Sequence, residues 1–400
     1  MVRAGVKAES FRAASEELAE LCGLKIGPKP IERLVHRIGQ ERIDRRNAAV
    51  TEHRALPLME RDGVAHPERP CPAVAMVSID GGRLQVRSSS EEADPGTHWR
   101  ESKTAVLETY LGQAHETDPD PDVPGCFLDL QRSAEMVRGL GHPLPTGLDF
   151  GAAEPATPEG VKKPKERRAR RRRARPGRPK RLVRSVVASR ARSEEFGPMV
   201  HQAAWERNFF GAKRRAFLGD GAAVNWTIHR VHFSTFTPVL DFVHAVSYVF
   251  AAAFAGRSQD EGGAIYGRWI QAVWSGRVAT ILPELEARSK ELGEPPDGCP
   301  ANDPRRLVGE ALGYLRNNAE RMRYDEYRQE GLPIMTSAVE SVIKMINRRV
   351  KGSEKFWSES GAEAILQWRA DYLSETEAVN QFWSIRQSAA SGFRPYRTAA

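Results

Sequence analysis

The sequence predicts a mixed α/β protein, because short strand-like runs and long helical segments alternate along the same chain. Three runs have strand character, and each ends in an aspartate: AVAMVSID (Ala73–Asp80), RRAFLGD (Arg214–Asp220) and TPVLD (Thr237–Asp241). Short runs rich in β-branched and aromatic residues favour strands. The segments from Phe242 to Arg328 and from Ser337 onward instead have helical apolar spacing. At 400 residues, the chain is long enough for two or three folded units.

Basic charge is concentrated in one segment of the chain. Between Lys162 and Arg184 there are fourteen Lys and Arg residues and one acid, a local net charge of +13. The other residues comprise 46 basic and 51 acidic side chains, so their net charge is −5, against +8 for the whole chain. The run KKPKERRARRRRARPGRPKR has no apolar face with which to pack, so we expect a flexible arm. Its charge indicates a polyanionic partner.

Cysteine usage and hydropathy indicate a soluble protein of a reducing compartment. The four cysteines are far apart and form no CxxC pair, which argues against a structural zinc site or a disulfide framework: Cys22, Cys71, Cys126 and Cys299. The N-terminus lacks the apolar core of a signal peptide. The most apolar stretch, Ala245–Gly256, is shorter than the roughly 20 residues of a membrane helix. We therefore expect a cytoplasmic protein without membrane contact.

The N-terminal region predicts a pair of helices. The first covers about Glu9 to Cys22, the chain then turns through GLKIGPKP, and a second helix with basic residues begins near Ile31. A helix, a Gly/Pro-containing break and a basic helix are compatible with a helix-turn-helix DNA reader. An ordinary helical hairpin explains the same pattern, and both interpretations remain open.

Three acidic residues lie where metal-dependent chemistry would need them. Asp80 and Asp220 each end a predicted strand and are followed by glycine, which permits close approach of a ligand or backbone. Glu340 lies in the first turn of a predicted helix, at the edge of its apolar stripe. The side chains that share its side of the helix are Lys344, Asn347, Arg348 and Lys351.

Three carboxylates without histidine or cysteine form a hard-oxygen ligand set, which suits Mg²⁺ or Mn²⁺. Two such ions about 3.5–4 Å apart promote in-line phosphodiester displacement. Taken singly, each acid has a simpler explanation. An aspartate at a strand end commonly forms a turn, and a first-turn glutamate complements the helix dipole.

Six sequence blocks occur in an order that resembles the DDE-type insertion-sequence transposases of the ISKra group, which are bacterial enzymes. The blocks are VSIDGGRLQVR, HWRESK, FLGDGAAVNW, VLDFVHA, GLPIMTSAVES and RRVKGSEKFW. The resemblance extends from about Val74 to Trp383 and implies that Asp80, Asp220 and Glu340 are the catalytic D, D and E. It also implies an RNase H-like mixed sheet with flanking helices, a large all-helical insertion before the last core helix, and a small helical N-terminal region. Many members of the group have Gly-Ser-Gly where this chain has Met335-Thr336-Ser337.

The resemblance implies one DNA-contacting residue, His244, and the local charge of the sequence predicts the others. Asp241-x-x-His244 is similar to a C/D-x-x-H element of several relatives, so His244 is expected to contact the scissile phosphate or a flipped end nucleotide; the alternative is a core-edge histidine. Lys351 and Lys355 are expected to bind the DNA backbone, as are Lys344 and Arg348. Trp357 is either a base-stacking residue or, as we favour, a core anchor. In the arm, the expected DNA contacts are Arg170, Arg171, Arg172, Arg173 and Arg178, the last within a weak AT-hook-like motif.

The expected organisation has seven parts. The first is a helical region that is either a helix-turn-helix DNA-binding region or a helical hairpin (1–70). It precedes the first part of the catalytic core (71–112), a flexible insertion with the arginine-rich arm (113–192), the second part of the core (193–245), an all-helical insertion (246–333), the C-terminal core helices (334–386) and a tail (387–400).

The function expected from this organisation is metal-dependent cleavage at the ends of a mobile element and strand transfer into target DNA. Two Mg²⁺ (or Mn²⁺) ions are the expected cofactors, and double-stranded DNA, comprising terminal inverted repeats and target DNA, is the expected partner. A homodimer or higher oligomer associated with the bacterial nucleoid is expected, because two ends must be brought together. The alternatives are a non-catalytic arginine-rich DNA-binding protein, such as a decayed or domesticated transposase, and an RNase H-like nuclease.

Overall fold

A mixed, open six-stranded sheet lies at the centre of the protein. The computed structural model describes residues 1–87, 98–147, 177–335, 337–352 and 355–390. The strands are β1 (Val74–Val86), β2 (Trp99–Leu111), β3 (Lys180–Ser189), β4 (Arg214–Gly219), β5 (Thr237–Leu240) and β6 (Phe356–Trp357). Their order is β3-β2-β1-β4-β5, with β6 also paired to β1. The pairs β1–β2 and β2–β3 are antiparallel, whereas β1–β4, β4–β5 and β1–β6 are parallel. The predicted α/β class is confirmed.

Helices precede, interrupt and follow the strands. The N-terminal helices are α1 (Val2–Lys7), α2 (Phe11–Cys22), α3 (Pro28–Ala55) and α4 (Leu58–Arg61). Between strands lie α5 (Gly125–Leu128), α6 (Leu130–Gly139), α7 (Ser193–Trp205) and α8 (Ala223–His232). After β5 come α9 (Phe242–Phe254), α10 (Gln259–Trp274), α11 (Leu282–Leu292), α12 (Pro304–Asn318) and α13 (Tyr324–Gln329). The chain continues with α14 (Ser337–Val350), α15 (Glu359–Leu373) and α16 (Ala378–Ala390).

Two apolar clusters hold these layers together. The larger one joins the start of β1, β4 and β5 to helices α7 to α13. The smaller one joins the far part of β1 and parts of β2 and β3 to α1–α3, α14 and α15. Six consecutive residues of β1, Val74 to Ile79, are buried, as expected for a central strand that is covered on both faces. The predicted helical character of Phe242–Arg328 is confirmed by α9 to α13.

The N-terminal helices pack against the C-terminal core helices. Helix α3 lies so close to α15 that a Cβ atom on Gly39 would come within 2.7 Å of the Ala364 Cβ atom. The indole of Trp368 donates a hydrogen bond to the Val35 carbonyl (3.3 Å). The predicted helix pair is present, but α3 is 28 residues long and shares a core with α15. Its role in binding DNA stays a prediction.

Two sequence-based expectations about strands were wrong. The first strand was expected to end at Asp80, but β1 runs through Asp80, Gly81 and Gly82 to Val86 as one arm of a long hairpin. The segment 113–192 was expected to loop out of the core, yet its last described part forms β3. Residue Ala188 of β3 pairs with Thr104 of β2. The arginines among the valines of β3 made this segment look like the end of the charged arm, so its strand pattern was not recognised.

Among the helices that the structure describes, none combines the length and the apolar character needed to cross a bilayer.

Candidate functional site

The strand register brings Asp80 and Asp220 side by side. Strands β1 and β4 are parallel neighbours, and Ser78 pairs with Leu218 at the end of their ladder. Each aspartate lies two residues beyond that pair: Asp80 is still within β1, and Asp220 directly follows the last residue of β4. Neighbouring strands are about 4.8 Å apart. Two carboxylates separated by 140 positions in the sequence therefore become spatial neighbours.

Asp220 is held by three hydrogen bonds from different parts of the chain. Its Oδ1 atom accepts from the Ala222 N–H (2.9 Å) and from the side-chain amide of Asn225 (2.9 Å). Its backbone carbonyl accepts from the Tyr314 hydroxyl (2.7 Å), which comes from the helical insertion. Gly221 has a φ angle of +98°, and the Tyr314 ring occupies the space that a Cβ atom would need. The glycine after Asp220 was expected to permit close approach of a ligand or backbone, and in the structure the ring of Tyr314 makes that approach.

Helix α14 brings Glu340 to the same edge of the sheet. The helix packs on β1 and β2, and Gly82 of β1 faces the side chains of Ile343 and Asn347. The Glu340 side chain is 23% exposed, and Lys344 lies one turn further on, with 3.6 Å between its Nζ atom and Glu340 Oε2. The predicted position of Glu340, at the margin of a buried helix face, is confirmed by burial of Val339, Val342 and Ile346 on the stripe beside it.

The three acids line one cavity of about 610 Å³. Its wall is formed by residues from β1, from the end of α6 and the turn after it, from the turn after β4 and from α9, α12 and α14: Asp80, Gly81, Gly139, Leu140, His142, Asp220, Gly221, Ala222, His244, Tyr248, Tyr314, Glu340, Ile343, Lys344 and Asn347. Residues that are up to 267 positions apart in sequence, Asp80 and Asn347, thus meet around one polar space.

The negative charge of the acids makes the cavity favourable for cations. Burial, followed by the negative charge of Asp220, raises the pKa of Asp80 to about 6, and Glu340 adds to the same effect. Burial by itself lowers the pKa of His244. The hydrogen bond to Asp241 and the nearby negative charges of Asp220 and Asp80 outweigh it and raise that pKa to about 9. A carboxyl that is hard to ionise beside an imidazole that is hard to deprotonate indicates an excess of negative charge.

Asp241 supports His244 directly. The carboxylate of Asp241 is fully buried, and its Oδ2 atom accepts a hydrogen bond from His244 Nδ1 (3.2 Å). The other oxygen accepts from the Val243 N–H (3.1 Å) and caps α9. The His244 side chain is only 15% exposed. Because it also lines the cavity, it is both a packed residue and a candidate ligand-binding residue.

The donor chemistry of the cavity fits a hard divalent cation, because its acids are carboxylates with one oxygen left for a ligand. Asp80 Oδ1 accepts from the Gly81 N–H (2.6 Å), and Asp220 Oδ1 accepts two hydrogen bonds. Among the described residues, however, no three His, Cys, Asp or Glu side chains converge closely enough to share one metal ion. The three carboxylates surround the cavity without forming a closed coordination sphere.

The expected DNA-binding lysines and arginines differ in their placement. Lys344 lines the cavity, and the exposed Arg348 and Lys351 follow it along α14. The Nζ atom of Lys351 lies 5.6 Å from the ring centroid of Trp99. Lys355 donates a hydrogen bond to the Arg348 carbonyl (3.2 Å), which places it at the C-terminal end of the helix, outside the cavity wall.

The described part of the arginine-rich arm lies far from the acids. Arg178 is exposed and precedes β3, whose residue Lys180 pairs with Leu111 of β2. On the same strand, Thr104 pairs with Asp80. Thr104 and Leu111 are seven residues apart on β2, so at about 3.4 Å per residue they are separated by roughly 24 Å along the strand. The other expected arm contacts lie outside the described residues: Arg170, Arg171, Arg172 and Arg173.

Trp357 belongs to the core, which confirms the favoured alternative. Its side chain is 7% exposed, and its indole N–H donates to the Val350 carbonyl (2.9 Å). The guanidinium of Arg349 lies over the ring at 5.0 Å from its centroid. A buried indole with its hydrogen bond already made presents no face for base stacking.

Sequence reasoning missed four residues around the acids: His142, Asn225, Tyr248 and Tyr314. The sequence did carry a signal for Tyr248, because this residue follows His244 by four positions and therefore lies on the same face of a helix. Tyr314 stacks on Tyr248 with 3.7 Å between ring centroids, and nothing in the local sequence around either residue indicates this pairing. His142 carries no signal of its own, since it lies in a stretch that was expected to be flexible.

The chain matches no protein-family model, and no curated protein shows significant similarity to it.

Proposed function

We propose that this protein is a DDE-type DNA transposase with an RNase H-like core. The observation that carries the proposal is the shared cavity of Asp80, Asp220 and Glu340, three acids from three separate segments. The sequence blocks that resemble the ISKra group name the same three residues, on independent grounds. The mixed sheet with flanking helices, and the helical segment α9–α13 between β5 and α14, agree with the fold that this resemblance implies.

In this proposal, Asp80, Asp220 and Glu340 hold two Mg²⁺ (or Mn²⁺) ions. Three carboxylates spread around one cavity would suit two ions better than a single closed three-ligand sphere. When bound, the ions would supply charge stabilisation for phosphodiester hydrolysis and for attack by a DNA 3′-OH on target DNA. The carboxylates would hold the positive charge of the ions in position. This matters because positioning and electrostatics provide most of the catalysis in phosphoryl transfer.

His244 acts in the proposal as a fixed cation and not as a general base. In the metal-free protein its pKa of about 9 keeps it protonated at neutral pH, and it lies in the cavity wall together with Lys344. Both side chains can donate hydrogen bonds to the non-bridging oxygens of a phosphate. The reaction needs no nucleophilic serine or tyrosine, since the attacking groups are water and a DNA hydroxyl.

The basic segment between Lys162 and Arg184 supplies the DNA affinity in this proposal. A local charge of +13 would release many counterions on binding, so affinity would depend steeply on salt. We assign the terminal inverted repeats to the N-terminal region and the arm, and we place the protein at the bacterial nucleoid as a dimer or higher oligomer, because two element ends must be held together.

The test uses the DNA that flanks the coding sequence, made as a linear duplex labelled at its 3′ ends and mixed with a supercoiled target plasmid. The full chain in Mg²⁺ or Mn²⁺ should cut at discrete positions near the outer ends and join the new 3′ ends to the plasmid. Asp220→Asn should lower the cleavage rate by at least about 100-fold. Asp297→Asn, an exposed aspartate of the helical insertion, is the matched control and should cut normally.

Each result has a defined meaning. Cutting without joining would replace transposition by a nuclease activity on the same acids. Salt-sensitive DNA binding without metal-dependent cutting would leave a non-catalytic DNA-binding protein. Undiminished cutting by Asp220→Asn would remove the proposed active site altogether.

A further inference from the structure

Asn225 connects the two strands that carry the aspartates. It lies in the first turn of α8 and is 4% exposed. Its Nδ2 atom donates to Asp220 Oδ1 (2.9 Å) and also faces the Ile79 carbonyl (3.4 Å). Ile79 is the residue before Asp80 on β1. One buried amide therefore contacts the side chain of one acid and the backbone beside the other.

The same contact decides which oxygen of Asp220 faces the cavity. The Ala222 N–H and the Asn225 amide both bond to Oδ1, so both lone pairs of that oxygen are used. Oδ2 accepts no hydrogen bond from the described residues and remains available for a ligand in the cavity that Asp220 lines. The backbone on the other side is held by the Tyr314 hydroxyl, so Asp220 is fixed at both its carbonyl and its carboxylate.

We propose that Asn225 is a positioning residue that aims Asp220 Oδ2 into the cavity and keeps it in register with Asp80 for binding divalent cations. This inference rests on the proposed function, since it concerns the metal site of the same reaction. A carboxylate free to rotate would present either oxygen or turn away from the cavity, and bound metal would then have to order it. Residues that orient metal ligands in this way typically change metal affinity or activity by about 10–100-fold when replaced.

A purely structural role makes a different prediction. Beyond Ser78 and Leu218 the β1–β4 ladder ends, and Asn225 covers the Ile79 carbonyl at that point. If this were its only role, replacing Asn225 would lower stability and leave the metal affinity of the folded protein unchanged. The measurement must therefore report metal binding separately from folding.

The experiment titrates Mn²⁺ into the full chain and follows free Mn²⁺ by electron paramagnetic resonance. The variants are Asn225→Ala and Asn225→Leu, the second of which keeps the side-chain volume in case the first fails to fold. Asn318→Ala and Asn318→Leu are matched controls, because Asn318 is also 4% exposed but its amide has other partners: Nδ2 donates to the Tyr314 carbonyl (2.9 Å) and Oδ1 accepts from Arg321 (3.1 Å). Thermal melts by circular dichroism show which variants are folded. The site is defined as the binding that Asp220→Asn abolishes.

We expect Mn²⁺ to bind about 10–100-fold more weakly to both Asn225 variants, and the Asn318 variants to stay within about twofold of the unmodified chain. Equal affinity in all folded variants would overturn the inference, and so would a chain that binds no Mn²⁺ through Asp220. DNA cleavage provides the second measurement: kcat should fall and the KM for DNA should stay constant. Weaker Mn²⁺ binding in a chain that never cuts DNA would refute the proposed function while leaving the role of Asn225 intact.

Discussion

Replacing Asp241 by asparagine should lower the pKa of His244 and remove a positive charge from the cavity. The wild-type pKa is about 9 because the Asp241 hydrogen bond and the charges of Asp220 and Asp80 outweigh burial. Asparagine keeps an oxygen that can cap α9 at the Val243 N–H, so the helix start should survive the change. The substitution therefore alters charge with little change in shape.

The size of the effect follows from the geometry. An opposite charge within about 4–6 Å shifts a pKa by roughly 1–3 units, and the Asp241 carboxylate lies 3.2 Å from His244 Nδ1. A shift of about 2 units would bring the pKa of His244 to about 7. At pH 7.5 the protonated fraction would then fall from about 97% to about a quarter. Any phosphate contact that needs the imidazolium should weaken in the same proportion.

The assay is histidine ring NMR of the metal-free protein between pH 5 and 10. The chain has ten histidines, and the signal of His244 is assigned by its loss in His244→Gln. The wild-type resonance should titrate near pH 9, and in Asp241→Asn it should titrate about two units lower. A wild-type His244 that titrates at or below its ordinary value of about 6.5 would refute the reasoning. Binding of inorganic phosphate at pH 7.5, compared between the two proteins, tests the functional consequence.

Three further predictions concern stability and DNA binding. Burial and the neighbouring His53 lower the pKa of His201 to about 4. Between pH 4 and 6.5 the unfolded chain therefore binds more protons than the folded chain, so the free energy of unfolding falls as the pH drops through this window. The loss from this residue is up to about 3 kcal/mol. His201→Phe should flatten that slope in urea unfolding at pH 7.5 and 4.5. In the same assay, Trp368→Ala should lower the free energy of unfolding by about 3–5 kcal/mol, because the indole is fully buried. Trp99→Ala should lower it by about 0.5 kcal/mol or less, because Trp99 is 38% exposed. Equal losses in the two variants would contradict the packing. Finally, Lys344→Ala should reduce the slope of log Kd for duplex DNA against log salt by about 1, while the exposed Lys290→Ala leaves the slope unchanged.

Helix boundaries were the part of the fold most accessible from the sequence. The segment from Ser337 onward was predicted as helical, and it contains α14, which begins at Ser337 and carries Glu340, and α15 over Glu359–Leu373. The candidate acids were also found early, because a strand-like run that ends in Asp-Gly is a local pattern. In each case the signal lies within a dozen neighbouring residues.

Strand membership was less accessible where charge interrupts the pattern. Strand β3 has the sequence KRLVRSVVAS, and its arginines suggested the end of a flexible arm. In the structure, Arg181 bonds to Glu375 (2.6 Å), and the backbone N–H of Arg184 donates to the same carboxylate (3.0 Å). Val186 and Ala188 pack in the cluster that contains α14 and α15. Those partners lie about 190 positions further along the chain, so no window of local sequence contains them.

The sequence by itself determined the α/β class and the helical segments and indicated the three candidate acids, since periodicity and strand-end patterns are properties of adjacent residues. Only the tertiary structure decided that Ser78 pairs with Leu218, that α3 shares a core with α15, and that Asn225 and Tyr314 hold Asp220. The physical reason is that a cavity wall is made by backbones packing from distant parts of the chain. Its shape depends on pairings whose partners the local sequence does not name.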